Sequence, residues 1–302
     1  MTGDGSEGGT VRRRVTALTA AVVAAALGLA ACSEPEVVLP DVTVSGDAGA
    51  APTLTYVTPL VVDDAYRETV WPGTGPRLVD GEPVLIDYWL ENGDDASLVK
   101  ESYSSTPTSQ LLTAEDLGAD LYTSLRGQSV GARLLQVAPP QGGTTSYTTV
   151  TVIDVLPTRA EGEPIDPREG LPTVGEDEDG APTFTPVDAD APTDLVVQAV
   201  LRGTGRQVGA GDTVTVQYTG WTWTDGEQFD TTWSSGLPVS FSLQDVPAWS
   251  EGLEDQTVGS RVLLVVPPSY ALGVTESTEL EGQTVAFVVD VLDARAPEGA
   301  SE

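Results

Sequence analysis

The sequence predicts an α+β fold built from two tandem domains, each an antiparallel β-sheet packed on one short helix. Three observations support this prediction. The chain has 302 residues, which is the length of about two ordinary domains. A segment of about 105 residues occurs twice, which is long enough for a whole domain. Within each copy, valine-rich stretches with the two-residue period of a β-strand predominate.

The N-terminal residues 1–31 are predicted to be a lipoprotein signal peptide. Arg12, Arg13 and Arg14 precede an apolar run that is short for a membrane span, and Leu29-Ala30-Ala31-Cys32 follows. This ending resembles the bacterial lipobox, which implies acylation of Cys32. The alternative is an ordinary signal peptide that carries a cysteine by chance. Acylation would tether the protein by lipid to the extracytoplasmic face of the cell membrane.

Composition restricts the chemistry. The chain has no histidine and one cysteine, which excludes Ser-His-Asp and Cys-His catalysis, zinc sites built on His or Cys, and intramolecular disulfides. The net charge of −32 argues against a nucleic-acid partner. An enzyme would have to work with carboxylates, hydroxyls, backbone amides, aromatic walls or a carboxylate-bound metal.

The internal repeat defines the predicted domains. Paired segments include Ala51-Pro-Thr-Leu-Thr with Ala181-Pro-Thr-Phe-Thr, and Gly73-Thr-Gly75 with Gly203-Thr-Gly205, all at an offset of 130. The predicted divisions are a linker over 33–51, a first domain over 52–158, an acidic flexible linker over 159–182, a second domain over 183–295 with its core at 211–292, and a tail over 296–302. The acidic run Glu176–Asp179 is predicted to be part of a solvated linker, and the alternative is a cation site.

The elements of the second copy follow from local patterns. Asp212–Trp221 alternates apolar and polar residues, and both Arg261–Pro268 and Gln283–Leu292 are rich in valine, so three strands are predicted. Thr224-Asp225-Gly226 indicates a turn. A short helix is predicted at Pro247–Gln256, because proline favours a helix start and Trp249 and Leu253 would share one face.

The order of motifs in the second copy resembles a known family. Tyr-Thr-Gly, Asp-Gly…Phe-Asp, Trp-x-Glu-Gly-Leu, Val-Gly-x-Arg and Pro-Pro follow one another over Gly211–Leu292. This order is similar to that of the FKBP-type peptidyl-prolyl cis-trans isomerases. The resemblance implies a twisted antiparallel sheet wrapped over one short helix. It also implies an activity that rotates X-Pro bonds in proline-containing polypeptides, and no cofactor, metal or nucleophile is expected.

The resemblance also implies a set of site residues. An aromatic bowl would be formed with Trp249 as its floor, Val246 would offer its backbone N–H to a ligand carbonyl, and Asp230 would accept a hydrogen bond from Tyr218 at the rim. Further substrate contacts are expected from Val239, Leu272 and Leu280, with Leu272 at a position where the family often has tyrosine. The residues expected to form the bowl are Tyr218, Phe229, Phe241, Trp249 and Phe287.

The first copy keeps Tyr88 but differs at the matching functional positions. Leu121 stands for the tryptophan floor, Val99 and Lys100 for the Phe-Asp pair, and Thr151 for the last phenylalanine. We therefore expect a degenerate domain that serves binding, spacing or stability. Three functions remain open for the chain: an extracytoplasmic prolyl isomerase that assists protein folding, a non-catalytic module that binds a peptide or partner, and a structural lipoprotein with vestigial bowls. The oligomeric state is not readable from the sequence.

Overall fold

A computed structural model describes residues 41–142, 145–270 and 280–297. Cys32, the predicted signal peptide and Leu272 lie outside the described residues. The strands of the first half are β1 (Thr43–Ser45), β2 (Thr53–Thr55), β3 (Tyr66–Trp71), β4 (Pro83–Asn92), β5 (Ser97–Glu101), β6 (Thr108–Leu111), β7 (Arg133–Ala138) and β8 (Thr149–Leu156). Those of the second half are β9 (Glu163–Pro164), β10 (Thr173–Glu176), β11 (Pro182–Thr185), β12 (Val196–Arg202), β13 (Thr213–Thr222), β14 (Gln228–Thr231), β15 (Val239–Ser242), β16 (Arg261–Val266) and β17 (Val285–Arg295).

The two halves form antiparallel sheets with the same strand order. The first sheet runs β3-β7-β8-β4-β5, with β6 also paired to β4. The second runs β12-β16-β17-β13-β14, with β15 also paired to β13 and β9 added beside β12. The three strands predicted for the second copy are confirmed as β13, β16 and β17. The sequence repeat is therefore a repeat of sheet topology.

The helices are few and short. The predicted helix is confirmed as α3 (Pro247–Leu253), which begins with proline in its first turn and buries Trp249 and Leu253. The first half differs from the prediction of one helix, because it has α1 (Ala114–Leu117) and α2 (Ala119–Leu125). Gly118 separates them with φ +76°, a conformation that glycine adopts readily and that ends the first helix.

Each sheet is covered on both faces. In the second half, one face of the sheet packs on α3 through a core that contains Val214, Leu253, Leu264 and Val289. The opposite face buries Trp221, Trp223, Leu263, Val265, Ala286 and Val288. The central strand β17 supplies valines to both cores, so it reads as a nearly continuous apolar run instead of an alternating one.

A β-hairpin that precedes each repeat covers the outer face of its sheet. Strand β1 pairs with β2, and β10 pairs with β11 at positions exactly 130 residues later. Val44 of the first hairpin and Val174 of the second pack against the outer cores. The predicted flexible linker 159–182 therefore contains a strand, β10, whose Val174 is packed, and the predicted linker 33–51 contains β1, whose Val44 is packed in the same way.

A buried arginine holds each hairpin in place. Arg261 binds Asp290 through two nitrogens at 2.6 and 2.8 Å, and it also donates to Glu176 and to the carbonyl of Gly180. The acidic run is thus tied to the sheet by Glu176 instead of being fully solvated. The equivalent Arg133 binds Asp154 and donates to three hairpin carbonyls, those of Gly46, Asp47 and Ala50.

The two repeats touch at the end of β17. Arg295 donates to the Oδ2 of buried Asp87 at 2.5 Å and to the carbonyl of Tyr103 at 2.7 Å. Gly236 lies so close to Pro83 that an added Cβ would come within 2.5 Å of the proline ring. The repeats therefore share a charged contact and a close steric contact.

Candidate active site

Trp249 is the centre of an aromatic cluster on the inner face of the second sheet. Its ring centroid lies 5.0 Å from Tyr218, 5.0 Å from Phe241 and 5.4 Å from Phe287, each ring at a steep angle. Phe229 completes the cluster, with its ring centroid 5.6 Å from that of Phe287 and the two ring planes nearly perpendicular. All five predicted aromatic residues therefore come together in one packed group, in the edge-to-face arrangement that aromatic rings prefer.

Five different elements bring these rings together. Trp249 comes from α3, Tyr218 from β13, Phe229 from β14 and Phe287 from β17, while Phe241 lies on β15. The register pairs Gly220 of β13 with Phe287 on one side and with Asp230 on the other. The sheet thus fixes the order of the aromatic residues across the cluster.

Gly220 is a residue whose role the sequence reasoning did not identify. A Cβ at this position would lie 2.6 Å from Phe229 Cζ and 2.9 Å from Phe287 Cε1. Contacts this short do not occur between real atoms, so a side chain here would displace both rings. The signal was present in the Tyr-Thr-Gly motif, because a glycine in the middle of a strand often marks a close approach.

The predicted hydrogen bond at the rim is present. Tyr218 donates its hydroxyl to Asp230 Oδ2 at 2.7 Å. Burial raises the pKa of Tyr218 well above its usual range, and the hydrogen bond to Asp230 raises it further. The hydroxyl therefore remains protonated at neutral pH, and the carboxylate lies beside the aromatic cluster.

Other predicted site residues are placed differently. Val246 lies just before α3, and its N–H donates to Leu243 O across 3.4 Å, which is long for a backbone hydrogen bond. Leu280 packs against the same core as the aromatic cluster. Val239 is 40% exposed at the start of β15 and does not belong to that core.

A second tyrosine–carboxylate pair borders the cluster. Tyr270 packs against the core that contains Trp249, and it donates its hydroxyl to Glu251 Oε2 at 3.2 Å. Glu251 lies on α3, two residues after Trp249. The sequence analysis assigned no role to Tyr270 or to Glu251.

The first repeat has a different arrangement at the same positions. Lys100 pairs with Leu90 in the register that pairs Asp230 with Gly220, so Lys100 occupies the structural position of the aspartate. Its ammonium lies 5.5 Å from the centroid of the Tyr88 ring. Leu121 packs in the inner core in place of tryptophan. The aromatic cluster is therefore confined to the second repeat within the described residues.

Comparison with known proteins identifies the family. The profile described as FKBP-type peptidyl-prolyl cis-trans isomerase matches residues 204–292, which carry the aromatic cluster. A probable FK506-binding protein of Corynebacterium glutamicum is 37% identical over 106 residues, which cover 34% of this chain and 90% of that protein. This chain belongs to the FKBP family. It is a peptidyl-prolyl cis-trans isomerase.

Relatives with longer chains match only in part. The FKBP-type isomerase FkpA of Escherichia coli K12 is 39% identical over 105 residues, which cover 34% of this chain and 38% of that protein. A crystal structure of FkpA from Escherichia coli aligns over 42% of this chain and 53% of the other with 30% identity and a TM-score of 0.30.

No helix among the described residues is long and apolar enough to cross a membrane. They also contain no group of three or more His, Cys, Asp or Glu side chains arranged to hold a metal ion.

Proposed function

We propose that the aromatic cluster of the second repeat is the pocket in which this isomerase rotates X-Pro bonds. The observation that carries the proposal is the convergence of Tyr218, Phe229, Phe241 and Phe287 on Trp249, with Asp230 hydrogen-bonded at the border. Amide resonance sets a barrier of ~18–20 kcal/mol to this rotation, so uncatalysed exchange takes tens of seconds or longer. A site that binds the twisted amide more tightly than the planar one lowers that barrier.

Each residue has a role in this proposal. Trp249 supports the proline ring, while the surrounding rings replace water around the amide and so remove solvent that stabilises the planar, more polar form. The weakly engaged N–H of Val246 is a donor for a substrate carbonyl. Asp230 and Tyr218 act electrostatically at the border, where the carbonyl dipole turns during rotation. No covalent step is required.

We further propose that the chain is two tandem FKBP-like domains, of which the first is degenerate. The shared strand order and the shared hairpin with its Arg–Asp pair support common ancestry. The replacement of Asp230 by Lys100 and of Trp249 by Leu121 supports loss of catalysis in the first domain. With acylation at Cys32, the protein would assist folding of extracytoplasmic proteins at the membrane.

Two variants of the full chain test where catalysis takes place. Asp230→Lys copies the border of the first domain, and Lys100→Asp is its mirror image in the inactive domain. A lysine is compatible with this position, since Lys100 lies over Tyr88 without disrupting its strand. We expect Asp230→Lys to lower kcat/KM for an X-Pro peptide at least tenfold, with an unchanged circular dichroism spectrum, and Lys100→Asp to leave it unchanged.

The opposite pattern would contradict the proposal. An unchanged rate in Asp230→Lys would show that the border carboxylate is not part of the site. A rate that falls in Lys100→Asp would move catalysis to the first domain. Absence of any acceleration by the wild-type chain, with peptide still bound, would favour a binding module.

A further inference from the structure

The catalytic repeat has an unusually one-sided charge. Between Gly211 and Leu292 the chain has 12 acidic residues, and Arg261 is the only lysine or arginine. Arg261 is 1% exposed and is already paired with Asp290 and Glu176. No exposed cation in this segment is therefore available to neutralise the carboxylates around the pocket.

Two carboxylates lie directly at the aromatic cluster. Asp230 accepts a hydrogen bond from the hydroxyl of Tyr218 at 2.7 Å, and Glu251 accepts one from the hydroxyl of Tyr270 at 3.2 Å. Both tyrosines pack against the core around Trp249. A single tyrosine side chain therefore separates each carboxylate from that core. Asp194 lies near enough to Tyr270 to act on it electrostatically as well.

Neither carboxylate has a cationic partner among the described residues. The ion pairs of the second repeat involve Arg206, Arg261 and Arg295, and their acidic partners lie elsewhere. The hydroxyls of Tyr218 and Tyr270 each supply a hydrogen bond but no charge. An unpaired anion beside an apolar pocket attracts a cation that the ligand brings with it.

We infer that Glu251 is a specificity-determining residue that favours X-Pro segments carrying a lysine or arginine next to the X-Pro pair. The inference rests on the proposed function, because it assumes that the peptide lies in the aromatic cluster. The apolar X-Pro pair would fill the cluster, and the flanking cation would lie beside Glu251. Asp230 contributes to the same field, but its place in the proposed catalytic site makes it unsuitable as a probe.

The expected effect is moderate and depends on salt. An exposed charge pair changes affinity by about two- to fivefold, so two carboxylates give a preference of about tenfold for a cationic over an anionic flank at low ionic strength. Screening by 0.5 M NaCl should remove most of it, since the Debye length is then about 4 Å. A preference for side-chain shape would not depend on salt in this way.

The test uses the full chain and peptides that contain Leu-Pro with lysine, glutamine or glutamate placed in turn before and after this pair. Cis/trans exchange is measured by NMR exchange spectroscopy, because a coupled protease would add its own charge preference. We expect kcat/KM to fall in the order lysine, glutamine, glutamate. Glu251→Gln keeps an oxygen that accepts the Tyr270 hydroxyl and removes the charge, so it should reduce the lysine preference at least twofold and leave the glutamine peptide unaffected.

Two further variants separate charge from structure. Glu254→Gln removes an exposed carboxylate just after α3 that has no tyrosine contact, and it should leave the order unchanged. Glu251→Lys should favour the glutamate peptide. Equal rates for the three peptides, or a lysine preference unaffected by Glu251→Gln, would overturn the inference. If no peptide is accelerated, the proposed function fails instead, and NMR titration with the same peptides then tests the charge preference as binding.

Discussion

At the scale of single residues, the aromatic cluster depends on the absence of a side chain at Gly220. Gly220 leaves the space that the rings of Phe229 and Phe287 occupy. The equivalent residue in the first repeat is Leu90. It is paired across the sheet with Lys100 and Thr151, which are the equivalents of Asp230 and Phe287, the residues paired with Gly220. In the first repeat a leucine side chain therefore stands where Gly220 leaves space, and Val99 and Thr151 stand where the two rings are.

Gly220→Ala should lower kcat/KM for X-Pro peptides by at least tenfold, because the new methyl group would displace Phe229 and Phe287. The change is measured by NMR exchange with the full chain. Gly142→Ala is the matched control, since its added Cβ has no atom within 4 Å. Wild-type activity in Gly220→Ala would show that the two rings do not contribute to the site.

The hydroxyl of Tyr218 gives a pH prediction. Its folded-state pKa lies above the usual value of about 10, mainly because the ring is buried. The folded state therefore holds this proton more tightly than the unfolded state does. The contribution of this hydroxyl to the free energy of unfolding is complete below pH 10, and it is lost as the pH rises above the unfolded-state pKa.

We expect kcat/KM to stay constant from pH 7 to pH 10, because the Tyr218–Asp230 hydrogen bond persists over that range. Urea unfolding should show a decrease in stability above pH 10 that is smaller in Tyr218→Phe than in the wild type. A drop in activity near pH 9 that Tyr218→Phe removes would contradict this role for the hydroxyl.

At the scale of elements, local sequence patterns predicted the strands and the helix whose own composition is typical of their type. Valine-rich periodicity was enough for β13, β16 and β17, and the proline start was enough for α3. The hairpins were missed because the loop that joins their two strands is rich in glycine or acidic residues, which is the composition of a linker.

The contacts that order these hairpins are not local. Glu176 is 85 residues from Arg261, and Val174 packs on a core formed by distant strands. Local composition carries no information about such partners. The same holds for the pairing of Tyr270 with Glu251, whereas the Tyr218–Asp230 bond was expected because the family motif places both residues.

Arg261→Met should lower the free energy of unfolding by about 3–5 kcal/mol, because it leaves Asp290 buried without its cation. It should also increase hydrogen exchange in β10, since Glu176 and Gly180 lose their bonds to Arg261. Both effects are measured on the full chain by urea unfolding and exchange mass spectrometry. Arg126→Met, which breaks an exposed pair with Asp80, is the control and should cost less than 1 kcal/mol. Unchanged exchange in β10 would show that the arginine does not hold the hairpin.

At the scale of the whole molecule, the ion pair between Asp87 and Arg295 links the two repeats. Asp87 is fully buried, and its pKa is raised by desolvation although the guanidinium of Arg295 opposes that shift. Arg295 belongs to the last strand of the second repeat, so it connects the end of the second sheet to the core of the first. The contact gives the first repeat a structural role.

Arg295→Ala should destabilise the chain by about 3–5 kcal/mol and separate one thermal transition into two, because Asp87 loses its partner and the repeats lose their link. Asp87→Asn in the same chain should restore part of the stability by removing the unpaired charge. Differential scanning calorimetry measures both effects. Arg67→Ala, which breaks a pair within the first repeat, should keep a single transition. Two transitions already present in the wild type would contradict the coupling.

The central claim is that catalysis occurs on Trp249. The most direct test follows the NMR signals of the tryptophan indole N–H groups while the full chain catalyses cis/trans exchange of an X-Pro peptide. The chain has six tryptophans, and the signal of Trp249 is identified by its loss in Trp249→Phe. Trp221 and Trp223 lie in the outer core of the same sheet, and Trp71 and Trp89 lie in the first repeat, so they serve as internal references. We predict that peptide shifts the Trp249 signal in a saturable manner with the same half-maximal concentration as the exchange rate. Saturation of the exchange rate with an unmoved Trp249 signal, or with shifts at Trp71 or Trp89 instead, would contradict the account.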